Sequence, residues 1–289
     1  MPRPFGILVA SDGSPSAQAA LDTALAFPWP ATSRARGVVA LGPLKGFRAS
    51  TRTALVRAVD ETSRALQEAL AERWPAAEAL ALHGAPAEAI VIESRRFRAD
   101  VVVLGWRGHG RFRRLLAGSV SRSVAEKARC SVLVTRKAPS SVRRLVVGFD
   151  GTAASRAALR LAAKLEPPPG GRVFLAQVLE PILVMPRRLP AKTRATVRAE
   201  LIRKERSRTR DAERGLEDAA GGLRRRGWKV TTLVRRGAPV AELMEVAGRR
   251  SAEALVVGAS SGSRLQRVLL GSVAAAILDV STVPVLIAR

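Results

Sequence analysis

The chain has 289 residues, 47% of them apolar, which fits one large domain or two ordinary ones and excludes a disordered chain. Lysine and arginine number 49 against 24 acidic residues, for a formal charge of +25, so the surface is strongly basic. One cysteine excludes an internal disulfide, and two histidines beside it exclude a zinc-finger array.

Met1 to Ala10 contains Arg3 and a six-residue apolar run that ends at Ser11 and Asp12, too short for the core of a signal peptide. No uncharged apolar stretch reaches the roughly 18 residues that a membrane span requires. The expectation is a cytoplasmic protein with no membrane span. From there short β-rich runs alternate with longer helical patterns. Strands are expected at about 5–10, 36–41, 77–82, 100–104 and 131–135, with helices at about 15–27, 51–73, 86–98 and 119–129 between them. Val101-Val102-Val103-Leu104 and Val132-Leu133-Val134 are continuous apolar runs, the mark of parallel strands buried on both faces.

The same series then begins again. Ile7 to Ser14 matches Leu145 to Thr152 at an offset of 138, and from His83-Gly84-Ala85-Pro86 onward the offset is 153, reaching the chain's end with Arg136 on Arg289. The second copy has therefore gained 15 residues in its middle. Its strands are expected at about 143–149, 172–178, 228–234, 253–257 and 283–287, and Ala-Pro-Ser-Ser within Lys137–Val142 reads as a linker. The reading is an α/β chain of two units, residues 1–138 and 143–289, each an open five-stranded parallel sheet with helices on both faces.

Open sheets of this kind bind ligands beyond the carboxyl ends of their strands, where strand order reverses. Gly105-Trp106-Arg107-Gly108 follows the fourth strand, and nine residues later Gly118-Ser119 opens the last helix. Glycine lets a ligand lie against bare backbone, and a helix start offers unpaired N–H groups and a positive dipole end, a combination suited to phosphate. Ser119 and Ser121 add hydroxyls, Arg107 adds charge, and Asp12 closes the first strand beside them. Asp12 and Asp150 also suit the capping of the helix that follows each of them, and the two roles are compatible.

With Asp12-Gly13-Ser14 on the first strand, the spacing Gly-x2-Gly-x9-Gly-Ser resembles the universal stress protein family in its ATP-binding branch, in both halves and over nearly the whole chain. The resemblance implies an adenine nucleotide alpha hydrolase-like fold, ATP as ligand with Mg or Mn on its phosphates, and a regulatory role in the stress response with at most slow hydrolysis. It implies that Asp12 and the end of strand two near Leu41 contact adenosine, and that Gly105, Gly108, Gly118, Ser119 and Val120 hold ribose and phosphates. In the second copy the matching residues are Asp150, Val178, Gly258, Ser261, Gly271, Ser272 and Val273. There Ser261 replaces the second glycine and Ala274 replaces Ser121, so weaker binding is expected in that half. The family also implies a pseudo-dimer of the two units, with their last strands edge to edge, and dimers of chains.

His83 and His109 lack a nucleophile and acid at any recognisable spacing and read as surface residues. Cys130, matched by Val283, reads as packing. The four tryptophans are scattered and read as packing or rim residues, although Trp106, between two loop glycines, is placed to cover a ligand. Residues 187–229 hold 15 basic and 6 acidic side chains around a broken apolar pattern, and the extra residues lengthen this helix by about 22 Å. A solvated charged face is one reading of it. The rival function is a nucleotide-independent protein that binds nucleic acid or an acidic partner through this helix.

Overall fold

The computed structural model describes residues 3–106, 119–182, 191–259 and 270–289. The first half runs β1 Phe5–Ser11, α1 Pro15–Ala26, β2 Ser33–Leu41, α2 Ala49–Ala71, β3 Glu78–His83, α3 Pro86–Arg96, β4 Val101–Gly105, α4 Ser119–Lys127 and β5 Ser131–Thr135. The second runs β6 Arg144–Gly148, α5 Ala153–Lys164, β7 Arg172–Leu179, α6 Ala191–Arg225, β8 Lys229–Arg236, α7 Pro239–Arg249, β9 Ala254–Gly258, α8 Ser272–Val280 and β10 Val285–Ala288.

Within each half the strands pair in parallel in the order 3-2-1-4-5, but the halves do not keep separate sheets. One ten-stranded sheet has the order β3-β2-β1-β4-β5-β10-β9-β6-β7-β8, which corrects the expectation of two five-stranded sheets. The join is the antiparallel pairing of β5 with β10, where Leu133 faces Leu286 and Val134 faces Val285. Each half ends in a strand with one unpaired edge, and pairing the two edges satisfies the exposed ladder groups of both. The last strands thus meet as the pseudo-dimer expectation has it.

Alternation along the central strands explains why the sheet needs helices on both sides. Val101 and Val103 enter an apolar layer shared with α1, α2, α5 and α6. Val102 and Leu104 enter the opposite layer, built with α3, α4, α7 and α8. Both layers run through the seam without a break, since Leu133 and Leu286 lie in the first and Val132 and Ile287 in the second. Each such fully buried aliphatic side chain is worth about 1.5–3 kcal/mol.

The seam also carries a symmetric pair of caps. Arg136 donates to the carbonyls of Leu278 at 2.8 Å, Asp279 at 2.9 Å and Ser281, at the end of α8. Arg289 donates to those of Ala125 at 2.6 Å and Glu126 at 3.4 Å, near the end of α4. The last arginine of each half thereby satisfies the orphan carbonyls and negative dipole end of the other half's last helix. A second contact between the halves follows α1 and α5, where Ala31 N–H donates to the Glu166 carboxylate at 2.6 Å and Glu166 N–H to Pro28 O at 2.9 Å.

α6 is the main departure from twofold likeness. It is 35 residues long against 23 for α2. Only its later part is packed on the sheet, through Ala212, Leu216, Ala220 and Leu223.

Candidate functional site

The strand order reverses between β1 and β4, and again between β6 and β9. The chain leaves these adjacent, parallel strands toward opposite faces of the sheet, to α1 and α5 on one and α4 and α8 on the other, and so opens a crevice. A cavity of about 310 Å³ fills the first crevice, lined by Asp12, Ser16, Ala40, Gly105, Ser119, Val120 and Ser121 among others. That volume is at the lower bound for a small-molecule site.

Chain turns bring these residues together. Asp12 directly follows β1, and its carboxylate accepts the Ser14 N–H at 3.1 Å. Ser14 then caps α1 by accepting the Ala17 N–H at 3.3 Å. Between them Gly13 has φ +73°, a left-handed turn conformation that favours glycine. The cap of α1 is thus Ser14 and not Asp12, whose carboxylate instead holds the turn before the helix and lines the cavity. Gly105 has a packing reason of its own. A Cβ there would sit 2.2 Å from the Ser16 carbonyl oxygen, so the first turn of α1 lies directly on the end of β4. Ser119 opens α4, presenting that helix's first N–H groups to the cavity.

Strand two contributes Ala40 to the lining. Leu41, the neighbour expected from sequence, is buried outside it, because successive side chains on a strand point to opposite faces. Arg107, Gly108, Gly118 and Ser261 lie outside the described residues, as does His109. Trp106 is buried away from the cavity, with the Arg136 and Arg122 guanidinium groups 5.2 and 5.8 Å from its ring centre. His83 is exposed at the end of β3. Cys130 packs against the second apolar layer, and burial pushes its thiol up, away from reactivity.

The second crevice holds about 480 Å³, with Asp150, Val178, Gly258, Gly271, Ser272 and Val273 in its lining. Gly258 repeats the close packing, since a Cβ there would lie 2.4 Å from the Ala154 carbonyl group. The chemistry differs, however. Phe149, Ala154 and Ala274 stand where the first crevice has Ser11, Ser16 and Ser121. Partial burial raises the Asp150 carboxyl, but the Thr152 hydroxyl at 2.6 Å, the Ser155 hydroxyl and the Thr152 N–H at 2.9 Å outweigh it and hold the group below the usual carboxylate range. Sequence reasoning missed Arg208, on α6, which lines the mouth of this crevice and donates to Glu180 O at 2.9 Å. At the offset of 153 its partner is Leu55, and no local signal marks it. Among the described residues no group of three or more His, Cys, Asp or Glu gathers, and no helix is long and apolar enough to cross a membrane.

A doubled parallel sheet with a cleft at each reversal defines an α/β protein of the doubly wound class. The family model described as "Universal stress protein family" matches twice, over residues 6–136 and 141–289. Over 133 residues the chain is 35% identical to a universal stress protein of Thermus aquaticus, covering 45% of this chain and 97% of that one. It is 29% identical over 198 residues to a universal stress protein of Mycobacterium tuberculosis, covering 66% of this chain and 62% of that one. A solved universal stress protein from Archaeoglobus fulgidus superposes with a TM-score of 0.64 over 98% of both chains at 17% identity, a likeness of fold. The chain belongs to the universal stress protein family, with two family units in tandem.

Proposed function

We propose that the first crevice binds ATP and that the chain acts as a nucleotide-responsive regulatory module, hydrolysing its ligand slowly if at all. The observation that carries this reading is the convergence of Asp12, the close-packed Gly105 and the start of α4 at Ser119 on one cavity at the strand reversal. Asp12 is placed to accept from a ribose hydroxyl, and the Ser119 end of α4 offers backbone N–H donors and a positive dipole to phosphate oxygens. The apolar wall of Ala40, Pro86 and Ile90 suits a purine face. Arg107, Gly108 and Gly118, by their place in the family's spacing, are assigned to the same phosphates. A Mg or Mn ion would ride on phosphate oxygens, with no protein cluster needed to hold it.

The second crevice has exchanged three hydroxyl-bearing residues for Phe149, Ala154 and Ala274, which supports weaker binding there. Calorimetry of the full chain with ATP tests both statements. One tight site is expected, abolished by Asp12→Ala and retained in Asp150→Ala. Two equivalent sites, or loss with Asp150→Ala alone, would overturn the reading. Denaturing the purified protein and chromatographing the supernatant should release an adenine nucleotide.

A further inference from the structure

α6 is two different surfaces in one helix. From Ala212 onward it is anchored by buried Ala212, Leu216, Ala220 and Leu223, and its cations there include Arg214 paired with Asp211 and Arg224 with Glu217. Residues 193–211 contain no buried side chain. Yet residues 191–210 hold eight basic and two acidic residues. The two acids are engaged, Glu200 by Lys204 and Glu205 by Arg208 and Arg236. Arg198, Arg203, Arg206 and Arg210 are exposed and have no ion pair among the described residues.

Three of these share a face. Arg203, Arg206 and Arg210 are spaced i, i+3 and i+7, a stripe about 10.5 Å long. Like charges at helical-neighbour spacing repel one another and destabilise a helix. This end of α6, with no buried side chain to hold it, has little packing to offset that repulsion. A polyanion laid along the stripe removes the repulsion and gains charge-assisted hydrogen bonds from planar guanidinium forks, which match phosphate geometry.

We infer that the unpacked part of α6 is a docking surface for the phosphate backbone of duplex nucleic acid, gripped through Arg203, Arg206 and Arg210 without base readout. Two observations favour a duplex over other anions. α6 carries no aromatic residue, so it has no platform on which the bases of a single strand would stack. Its apolar residues here, Val197, Leu201 and Ile202, do not form the broad apolar face with aromatic anchors that insertion into a lipid surface requires.

The test is fluorescence anisotropy of the full chain with a labelled duplex of mixed sequence over a series of KCl concentrations. Wild type should bind with an affinity that falls steeply with salt. The triple variant R203Q/R206Q/R210Q should lower the log–log salt slope by about 2.7, for three phosphate contacts at 0.9 each. The control R95Q/R96Q/R129Q removes the same charge from exposed arginines elsewhere and should leave the slope unchanged. Equal losses in both variants would show a diffuse charge effect and overturn the inference. So would absence of duplex binding at low salt, or retention on phosphatidylserine vesicles that depends on the stripe while duplex binding does not. Circular dichroism of each variant confirms that α6 remains folded.

Discussion

Gly105 shows how one residue serves packing and cleft together. Its missing side chain admits the Ser16 carbonyl of α1 at a distance no Cβ tolerates, and the same bare backbone lines the cavity. Gly105→Ala should therefore cost about 1–3 kcal/mol of stability with no ligand present, read from urea unfolding. Unchanged stability would mean that the glycine serves the ligand alone. The glycine is plain in the sequence but its reason is not, because the contact joins residues nearly 90 positions apart. The same limit separates Leu41 from Ala40. A strand's side chains alternate, so placing the strand correctly and missing its phase by one residue moves the wall of the cavity to the wrong neighbour. Asp12, Ser119, Val120 and Ser121 were legible because their signals are local, a strand end and a helix start.

At the scale of elements, the turn into α5 holds its acid through the Thr152 N–H at 2.9 Å and the Thr152 hydroxyl at 2.6 Å. Thr152 accepts the Ser155 N–H at 3.2 Å as the helix cap and donates its hydroxyl to Asp150. Asp150 has a folded pKa below its unfolded value. Its contribution to stability is therefore complete above the ordinary carboxylate value of about 3.9 and is lost as pH falls through the folded value. Thr152→Ala should raise the Asp150 pKa toward the ordinary value, seen in a carboxyl NMR titration, and cost about 1 kcal/mol as a lost cap. The outer side of Asp150 is exposed, so the acid-side change in stability should be small. Most elements were readable from apolar periodicity and turn residues, and β5 at Ser131–Thr135 coincides with the expected strand. Other boundaries agree or move by up to three residues, as at β2, which starts at Ser33, where polar Ser33 and Arg34 conceal pairing with β1.

For the whole molecule, the joining of the two sheets is legible through the family resemblance, which implies the last strands edge to edge, and not through the residues' own periodicity. The repeat and its two offsets are written in the residues, whereas strand partnership across the dyad depends on which edges meet in space. The continuous layers imply that the halves unfold together. Leu286→Asp would place an unpaired charge opposite Leu133 inside the seam, a change of the kind that costs several kcal/mol. Scanning calorimetry should show one transition for the natural chain and two separated transitions for this variant. A single transition at an unshifted temperature would show that the seam contributes little.

The linker around Ala138–Ser141 that ties β5 to β6 has a further effect. Two separate units of this shape would have to find one another by diffusion, and their assembly would fade on dilution. Tethered by a few residues, each unit meets the other at an effective concentration of about millimolar. The doubled sheet thus persists however scarce the protein is, and the two clefts are always present in a ratio of one to one.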